Sequence, residues 1–451
     1  MRRQVSGSPA HLNLPHVVIV GAGFAGLEAA KALARSPVTL TILDQQNYHC
    51  FQPLLYQVAT AALSPADIAW PVRGILRTQA NARVLLARVS GLDAALRIVT
   101  TTVGAIPYDY LIIASGSRHF YFGHDAWEPH APGLKRIEDA TRIRARILLA
   151  FERAELTDSE SVRRELMTFV IVGGGPTGVE MAGAIAEMAR QTLKKDFRQI
   201  DPALSRIVLL EAGPRILPAL PENLSRYSQS ALQHMGVDVR TSERVLECDA
   251  HGVTTERGRI GASCLIWAAG VQASPAALWL RVQPDRNGRV PVASDLSVPG
   301  LENVFAIGDT AAVTDRDGRP VPGLASAAKQ MGGYVGELVA ARVAGRRGEG
   351  PFRYRHYGEL ATIGRRSAVV KLGRVELTGV LAWLFWSVVH IYFLIGTRNR
   401  LIVALSWFWN YLTYQRGARL ITSDNTEPMT TNETPRKGAR NPQSELETRM
   451  H

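Results

Sequence analysis

One local pattern restricts the fold of this chain more than any other: a β-branched strand, a glycine turn, an apolar-periodic helix, then a strand closing on an acid. It occurs twice. Residues 16–20, HVVIV, run into Gly21, Gly23 and Gly26 of GAGFAGLEAAKALA, and TLTILD ends at Asp44, 23 residues after Gly21. Residues 168–172, TFVIV, run into Gly173, Gly175 and Gly178 of GGGPTGVEMAGAIAEMA, and RIVLLE ends at Glu211, 38 residues after Gly173. The longer second spacing reads as an insertion, because LKKDFRQIDPALS separates helix from strand. A lone glycine turn says little. Two in full context predict two βαβ units that each bind a dinucleotide. Glycine removes Cβ so that backbone N–H groups and the positive helix end meet a pyrophosphate, and the carboxylate accepts from a ribose hydroxyl.

Three further strands end in small residues, which let a ligand or another backbone approach closely. DYLIIASGS carries Ala114 and Gly116, CLIWAAG carries Ala269 and Gly270, and NVFAIGDT carries Gly308 and Asp309. Two dinucleotide units and a late Gly-Asp strand suit hydride transfer from a nicotinamide to a flavin held face to face with it. The expected fold class is α/β, with two Rossmann-like dinucleotide-binding domains.

Other chemistries are excluded by what the chain lacks. Cys50, Cys248 and Cys264 form no CxxC or CxxxxC pair, so neither a redox dithiol nor a zinc ribbon fits, and the thiols read as reduced and intracellular. No HExxH and no carboxylate cluster is present, and His119, His124 and His130 lie on a Gly/Pro-rich loop at spacings that suit packing. No metal is expected. The start, MRRQVSGSPAHLNLP, has no apolar h-region and reads as no secretory signal.

After Gly350 the composition shifts. Between Pro351 and Ile421 stand ten basic and two acidic residues, +8 of the chain's net +12. From Leu377 to Gly396 there are 20 residues without Asp, Glu, Lys or Arg, and a second apolar run covers Leu401 to Tyr414. Twenty residues at about 1.5 Å each would cross a bilayer, so a spanning helix is one reading. The periodicity favours another. Trp383, Ser387 and His390 share one helical face and Leu381, Leu384, Phe385, Val388 and Tyr392 another; Ser406, Asn410 and Thr413 likewise oppose Leu401, Leu405, Phe408 and Leu412. Two helices lying at a membrane interface are therefore expected, joined by a turn at Arg398, Asn399 and Arg400. Arg365, Arg366, Lys371, Arg374, Arg398, Arg400, Arg416 and Arg419 would flank the apolar surface and attract anionic lipid.

At this point the chain resembles the two-dinucleotide-binding flavoproteins. NYHCFQPLLYQVATAALSP, LIWAAGVQASP, ELATIGRRSAVV and AWLFWSVVHIYFLIGTRNRL sharpen this to the type II NADH:quinone oxidoreductases, the single-subunit, non-proton-pumping NADH dehydrogenases, over about residues 16–421. The resemblance implies FAD on Gly21, Gly23, Gly26, Asp44, Ala114, Gly116, Gly308 and Asp309. It implies NADH on Gly173, Gly175, Gly178, Glu211, Ala269 and Gly270; an acid at Glu211 favours NADH because a 2′-phosphate would meet a like charge. The family's quinone motif AQxAxQ falls on residues 325–330, ASAAKQ, so Ala325, Ser326 and Gln330 are quinone-site candidates, with Ser326 replacing the first glutamine. Glu180 has two readings: a charge favoured by the helix N-terminus, or, by resemblance, a catalytic group where the nicotinamide and flavin sites meet, taking part in substrate binding and supplying protons; Gln330 is the second catalytic candidate.

The resemblance implies a discontinuous FAD-binding domain over 14–125 and 286–350, an NADH-binding domain with its linker over 126–285 inserted in it, and a membrane-docking region over 351–421; residues 422–451, rich in Thr, Asn, Pro, Glu and Arg without periodicity, read as a disordered tail. The implied protein is a peripheral, monotopic enzyme on the cytoplasmic face of the inner or plasma membrane, a homodimer by family analogy, passing electrons to a membrane quinone. Two other classes fit the folds: a soluble NAD(P)H-dependent ferredoxin or small-molecule reductase, and a basic flavoprotein acting as a binding module. Nucleic acid is not expected as a partner, because the positive charge sits beside long apolar runs instead of on a polar surface.

Overall fold

The strand His16–Val20 lies in the middle of a five-stranded parallel sheet, which explains its composition. Strands covered on both faces read as unbroken apolar runs, and Val17, Val18 and Ile19 have no exposure. The sheet order is Val304–Ala306, Tyr110–Ile113, His16–Val20, Thr39–Asp44, Ala82–Leu86. The structure, a computed structural model, describes residues 14–346, 350–413 and 416–422. The basic start of the chain, Tyr414 and the expected tail from residue 423 on lie outside the described residues.

A second parallel sheet has the order Val237–Arg240, Arg206–Leu210, Thr168–Val172, Cys264–Trp267. The chain returns to the first sheet with Val304–Ala306 only after this second sheet is complete, so the second unit is an insertion in the first. The long spacing before Glu211 is also accounted for. The helix Pro176–Glu187 continues into a π turn at Met188–Thr192, and a 3-10 turn at Pro202–Leu204 precedes the strand.

The C-terminal region is helical only in its second part. Glu359–Gly364, Ser367–Leu372 and Val375–Thr378 form an antiparallel sheet. Its hairpins turn at Arg365 and Arg366 and at Gly373 and Arg374, with Arg366 and Gly373 at φ of 68° and 54°. The sheet presses on Pro176–Glu187: a Cβ on Gly183 would lie 1.7 Å from the Ile363 carbonyl oxygen.

Two helices follow, Gly379–Phe393 and Thr397–Thr413. The first has 15 residues and spans about 22 Å. Among the described residues no helix is long and apolar enough to cross a membrane. Ala382, Trp386 and His390 face inward at four-residue intervals, while Leu381, Leu384, Val388 and Tyr392 are exposed. On the second helix Asn399 and Val403 face inward, and Leu401, Leu405, Phe408, Trp409 and Leu412 are exposed.

Two details differ from expectation. The connection is Leu394–Gly396, and Arg398, Asn399 and Arg400 belong to the second helix, where buried Asn399 donates to the Ala66 carbonyl at 3.3 Å. Arg416 does not face lipid: it is buried, donating to the carbonyls of Thr60 (2.8 Å) and Ala184 (3.2 Å) and pairing with Glu187 at 3.3 Å. Arg419 pairs with Asp196 and Lys371 with Glu376, leaving Arg366, Arg374, Arg398 and Arg400 as the exposed cations of the expected set.

Candidate functional site

The two glycine loops are built alike, bond for bond. In the first, Gly21 donates to the Leu43 carbonyl at 2.7 Å, and Asp44 accepts from the backbone N–H of Ala22 (2.6 Å) and Gln46 (2.7 Å). In the second, Gly173 donates to the Leu210 carbonyl at 2.7 Å, and Glu211 accepts from Gly174 and Gly213, each at 2.6 Å. Each acid therefore closes the turn at the end of its strand. Burial raises the Asp44 pKa above the ordinary value, against these backbone hydrogen bonds, which favour the carboxylate.

The glycines divide into closed and open positions. Gly21 and Gly173 have φ of 103° and 107°, and a Cβ there would meet Ala114 O at 2.3 Å or Ala269 Cα at 2.5 Å. A Cβ on Gly26 or Gly178 would lie 1.8 Å from the carbonyl oxygen of Gly21 or Gly173. Gly23 and Gly175 have ordinary φ of −71°, stand just before the helices Phe24–Ala32 and Pro176–Glu187, and would have nothing within 4 Å of a Cβ. A concave, amide-lined space at a helix start is what a pyrophosphate requires, so both loops fit a dinucleotide.

The other small-residue ends gather around these loops. Gly116 donates to the Thr310 hydroxyl at 2.8 Å, and the Ser117 hydroxyl donates to Asp309 at 2.7 Å, bringing Ala114–Gly116 and Gly308–Asp309 together at one edge of the first sheet. Ala269 abuts Gly173 and is followed by Gly270, which accepts from the Phe120 N–H at 3.2 Å.

Glu180 stands between two cavities. One, of about 370 Å³, is lined by Gln52, Leu55, Tyr56, Leu134, Lys135, Thr177 and Glu180. The other, of about 780 Å³, is bounded by Tyr56 and Glu180 and reaches Glu187, Arg365, Trp383, Trp386, Trp407 and Arg416. Burial pushes the Glu180 carboxyl up to about 8, while a hydrogen bond from the Thr362 backbone opposes the shift. Gln57 donates to the Tyr56 hydroxyl at 2.8 Å and accepts from Trp407 Nε1 at 2.7 Å, tying this wall to the second C-terminal helix.

Gln330 is not in either cavity. It lies on the helix Ala325–Val343 with Ala325 and Ser326, and its side chain exchanges two hydrogen bonds with the Arg355 backbone, both at 2.9 Å. The same helix approaches the C-terminal pair through Lys329, whose ammonium lies 5.2 Å from the centre of the Phe393 ring.

Residues 15–332 match the pyridine nucleotide-disulphide oxidoreductase family, and residues 356–415 match the NDH2 C-terminal domain. Among curated proteins, the type II NADH:quinone oxidoreductase Ndh of Mycobacterium tuberculosis is 44% identical over 421 residues, covering 90% of each chain. NdhA of the same organism, also a type II NADH:quinone oxidoreductase, is 43% identical over 438 residues, covering 93% of this chain and 92% of its own. The chain belongs to the type II NADH:quinone oxidoreductases. Its fold agrees with the solved structure of NDH2 from Plasmodium falciparum in complex with NADH, with TM-score 0.81 at 20% identity, covering 91% of this chain and all of that one.

In this type II enzyme the three thiols take no visible part. Burial pushes Cys50, Cys248 and Cys264 each up to about 12, which keeps them as protonated, unreactive thiols at neutral pH. His119 lies 3.5 Å from Asp139, and His124 stacks on Trp127. Sequence reasoning missed Tyr56, Lys135 and Glu187. Glu187 did leave a trace, since it stands seven residues after Glu180 and so on the same helical face. Tyr56 falls inside NYHCFQPLLYQVATAALSP without a pattern that singles it out, and Lys135 left no trace.

Proposed function

We propose that Gly21, Gly23, Gly26, Asp44, Ala114, Gly116, Gly308 and Asp309 hold FAD, and that Gly173, Gly175, Gly178, Glu211, Ala269 and Gly270 hold NADH. The enzyme oxidises NADH and reduces quinone without pumping protons. When bound, FAD supplies a two-electron carrier between nicotinamide and quinone. The observation that carries the placement is the position of Glu180 and Tyr56 in the walls of both cavities. One face of Glu180 meets the space beside Thr177 and Lys135, where the two dinucleotide units converge. Its other face meets the space that reaches the C-terminal helices. A carboxyl there that is protonated at neutral pH can deliver a proton as electrons leave for the quinone. Ala325 and Ser326 border the quinone approach in this reading, with Gln330 holding the Arg355 segment against their helix.

Anaerobic stopped-flow of the flavin absorbance tests the whole assignment. NADH should bleach the flavin, and a short-chain quinone should restore its colour; bleaching without reoxidation would remove the acceptor assignment. Gln330→Ala should raise the quinone KM severalfold with flavin reduction unchanged, because its two hydrogen bonds to the Arg355 backbone hold that segment against the helix that carries Ala325 and Ser326. Equal losses in both half-reactions would place Gln330 elsewhere.

Glu211→Ala should weaken NADH binding by about 10- to 100-fold, since hydrogen bonds to charged groups contribute about 1.5–3 kcal/mol. It should also narrow the preference over NADPH, because the like charge facing a 2′-phosphate is gone. An unchanged ratio of specificity constants would take Glu211 out of the ribose site.

The enzymes of this family are membrane-associated. The exposed faces of the two C-terminal helices, with Arg366, Arg374, Arg398 and Arg400 beside them, are proposed to lie on the bilayer as a monotopic surface on its cytoplasmic face, with a homodimer as the working assembly. Binding to anionic vesicles should survive 1 M salt, where the Debye length is about 3 Å, because apolar insertion is not screened. Binding that salt abolishes would leave only charge attraction.

A further inference from the structure

Lys135 is a half-hidden cation with an organised surround that the reading above does not use. Its side chain is 18% exposed, and its ammonium donates to the Ser117 hydroxyl at 2.8 Å and lies 3.9 Å from Asp309. Ser117 in turn donates to the same Asp309 oxygen at 2.7 Å. The backbone that carries Lys135 is fixed from two sides, its N–H donating to Asp139 at 2.9 Å and its carbonyl accepting from Gln52 at 3.3 Å. Burial lowers the lysine pKa from the ordinary value, and the Asp309 carboxylate opposes this and favours the ammonium. Lys135 lines the cavity of about 370 Å³ together with Thr177 and Glu180. An ion pair serving stability alone has no need of a cavity wall.

We infer that Lys135 is the cation that stabilises the negative charge the bound flavin gains on reduction, and so sets the flavin's midpoint potential. The inference rests on the proposed placement of FAD along Asp309. The charge balance is simple: NADH gives up a hydride, two electrons and one proton, and leaves as NAD⁺, while the acceptor becomes more negative by one unit. The lysine that would meet it is largely shielded from solvent, its side chain 18% exposed. There a fixed ammonium interacts more strongly than it would in solution and needs no reorganisation. Without Lys135, Asp309 would lose its ion-pair partner, and its uncompensated like charge would disfavour the reduced cofactor further.

The test is the midpoint potential of the flavin in the full holoenzyme, with flavin content measured alongside. Lys135→Gln should shift the ratio of reduced to oxidised flavin affinity at least tenfold toward the oxidised form, about 30 mV more negative for a two-electron couple. Lys135→Arg, which keeps the charge, should stay within threefold of wild type. Where the Gln variant sheds flavin, the same ratio is read from anaerobic equilibrium dialysis of oxidised FAD and of dithionite-reduced FAD against the apo chain. A preferential loss of the reduced form supports the inference. Equal loss of both forms, an unchanged potential, or an Arg variant as shifted as Gln overturns it and leaves the FAD placement standing. A wild-type protein that holds no flavin overturns both.

Discussion

Gly23→Val should yield a folded chain that carries no flavin. The expectation follows from the division of the first loop into closed and open glycines. Valine at Gly21 or Gly26 would strike backbone, at 2.3 Å from the Ala114 carbonyl oxygen or 1.8 Å from that of Gly21, and any loss of function would be confounded with misfolding. Gly23 differs. Its φ of −71° suits any L-residue, and no protein atom lies within 4 Å of the added Cβ. The added Cβ opens onto the space at the start of the helix Phe24–Ala32, where the pyrophosphate is proposed to sit. Flavin content should fall at least tenfold, a loss of about 1.4 kcal/mol or more, and NADH oxidation should fall with it. Far-ultraviolet circular dichroism and the Tm of the apo protein should match apo wild type. Gly175→Val is the paired control, since Gly175 has the same φ and the same empty surround. It should keep flavin and lose bleaching by NADH. If Gly23→Val retained full flavin, or if the two variants exchanged phenotypes, the assignment of the two loops would be wrong.

The same two loops were the most legible part of the chain, for a physical reason. A dinucleotide turn needs its glycines, the strand before them and the acid after them within a few tens of residues, so its requirements are written locally. Asp44 and Glu211 sit at their strand ends, bonded to Ala22 and Gly174. The exposed stripe from Leu381 to Tyr392 was legible too, because helical periodicity sorts one face from the other. The C-terminal sheet was not. Its first hairpin turns at Arg365 and Arg366, without the Asn-Gly or Asp-Gly signal of a two-residue turn, and charge counting absorbed those arginines into a lipid-facing set. Arg416 fell into the same set, although it bonds Glu187 across 229 residues of sequence. Long-range pairs of this kind carry no local pattern. The Lys135, Ser117 and Asp309 cluster is another: Ser117 and Asp309 stand 192 residues apart and meet only because the last strand of the first sheet is laid down after the inserted unit. Gln330 shows the converse, a residue found by motif whose amide is bound to the Arg355 backbone.

Glu180→Gln should reduce quinone turnover about 100-fold, the lower range for loss of a positioned acid or base, and should abolish the alkaline limb of the pH profile. The sign follows from the direction of the shift. Burial holds the carboxyl protonated up to about pH 8, far above its ordinary 4.5. Below pH 8 the wild-type group carries a proton it can donate; above it the carboxylate cannot, and turnover should fall about tenfold per pH unit. Glutamine keeps the shape and hydrogen-bonding capacity but has no proton to give, so the variant should be slow and flat from pH 7 to 10. Flavin bleaching by NADH should persist, because hydride transfer needs alignment and not a proton from this group. Stability supplies an independent reading. A carboxyl whose folded pKa lies above its unfolded pKa adds no penalty below about 4.5 and a growing one as pH rises toward 8, because burial outweighs the Thr362 backbone hydrogen bond that favours the carboxylate. The Tm of wild type should therefore drop between pH 5 and 9 by more than that of Glu180→Gln. A variant that kept the alkaline limb would assign the titration to another group. The Tyr56 hydroxyl in the same wall is not that group, because burial, with Glu180 beside it, raises its pKa well above the ordinary value of 10.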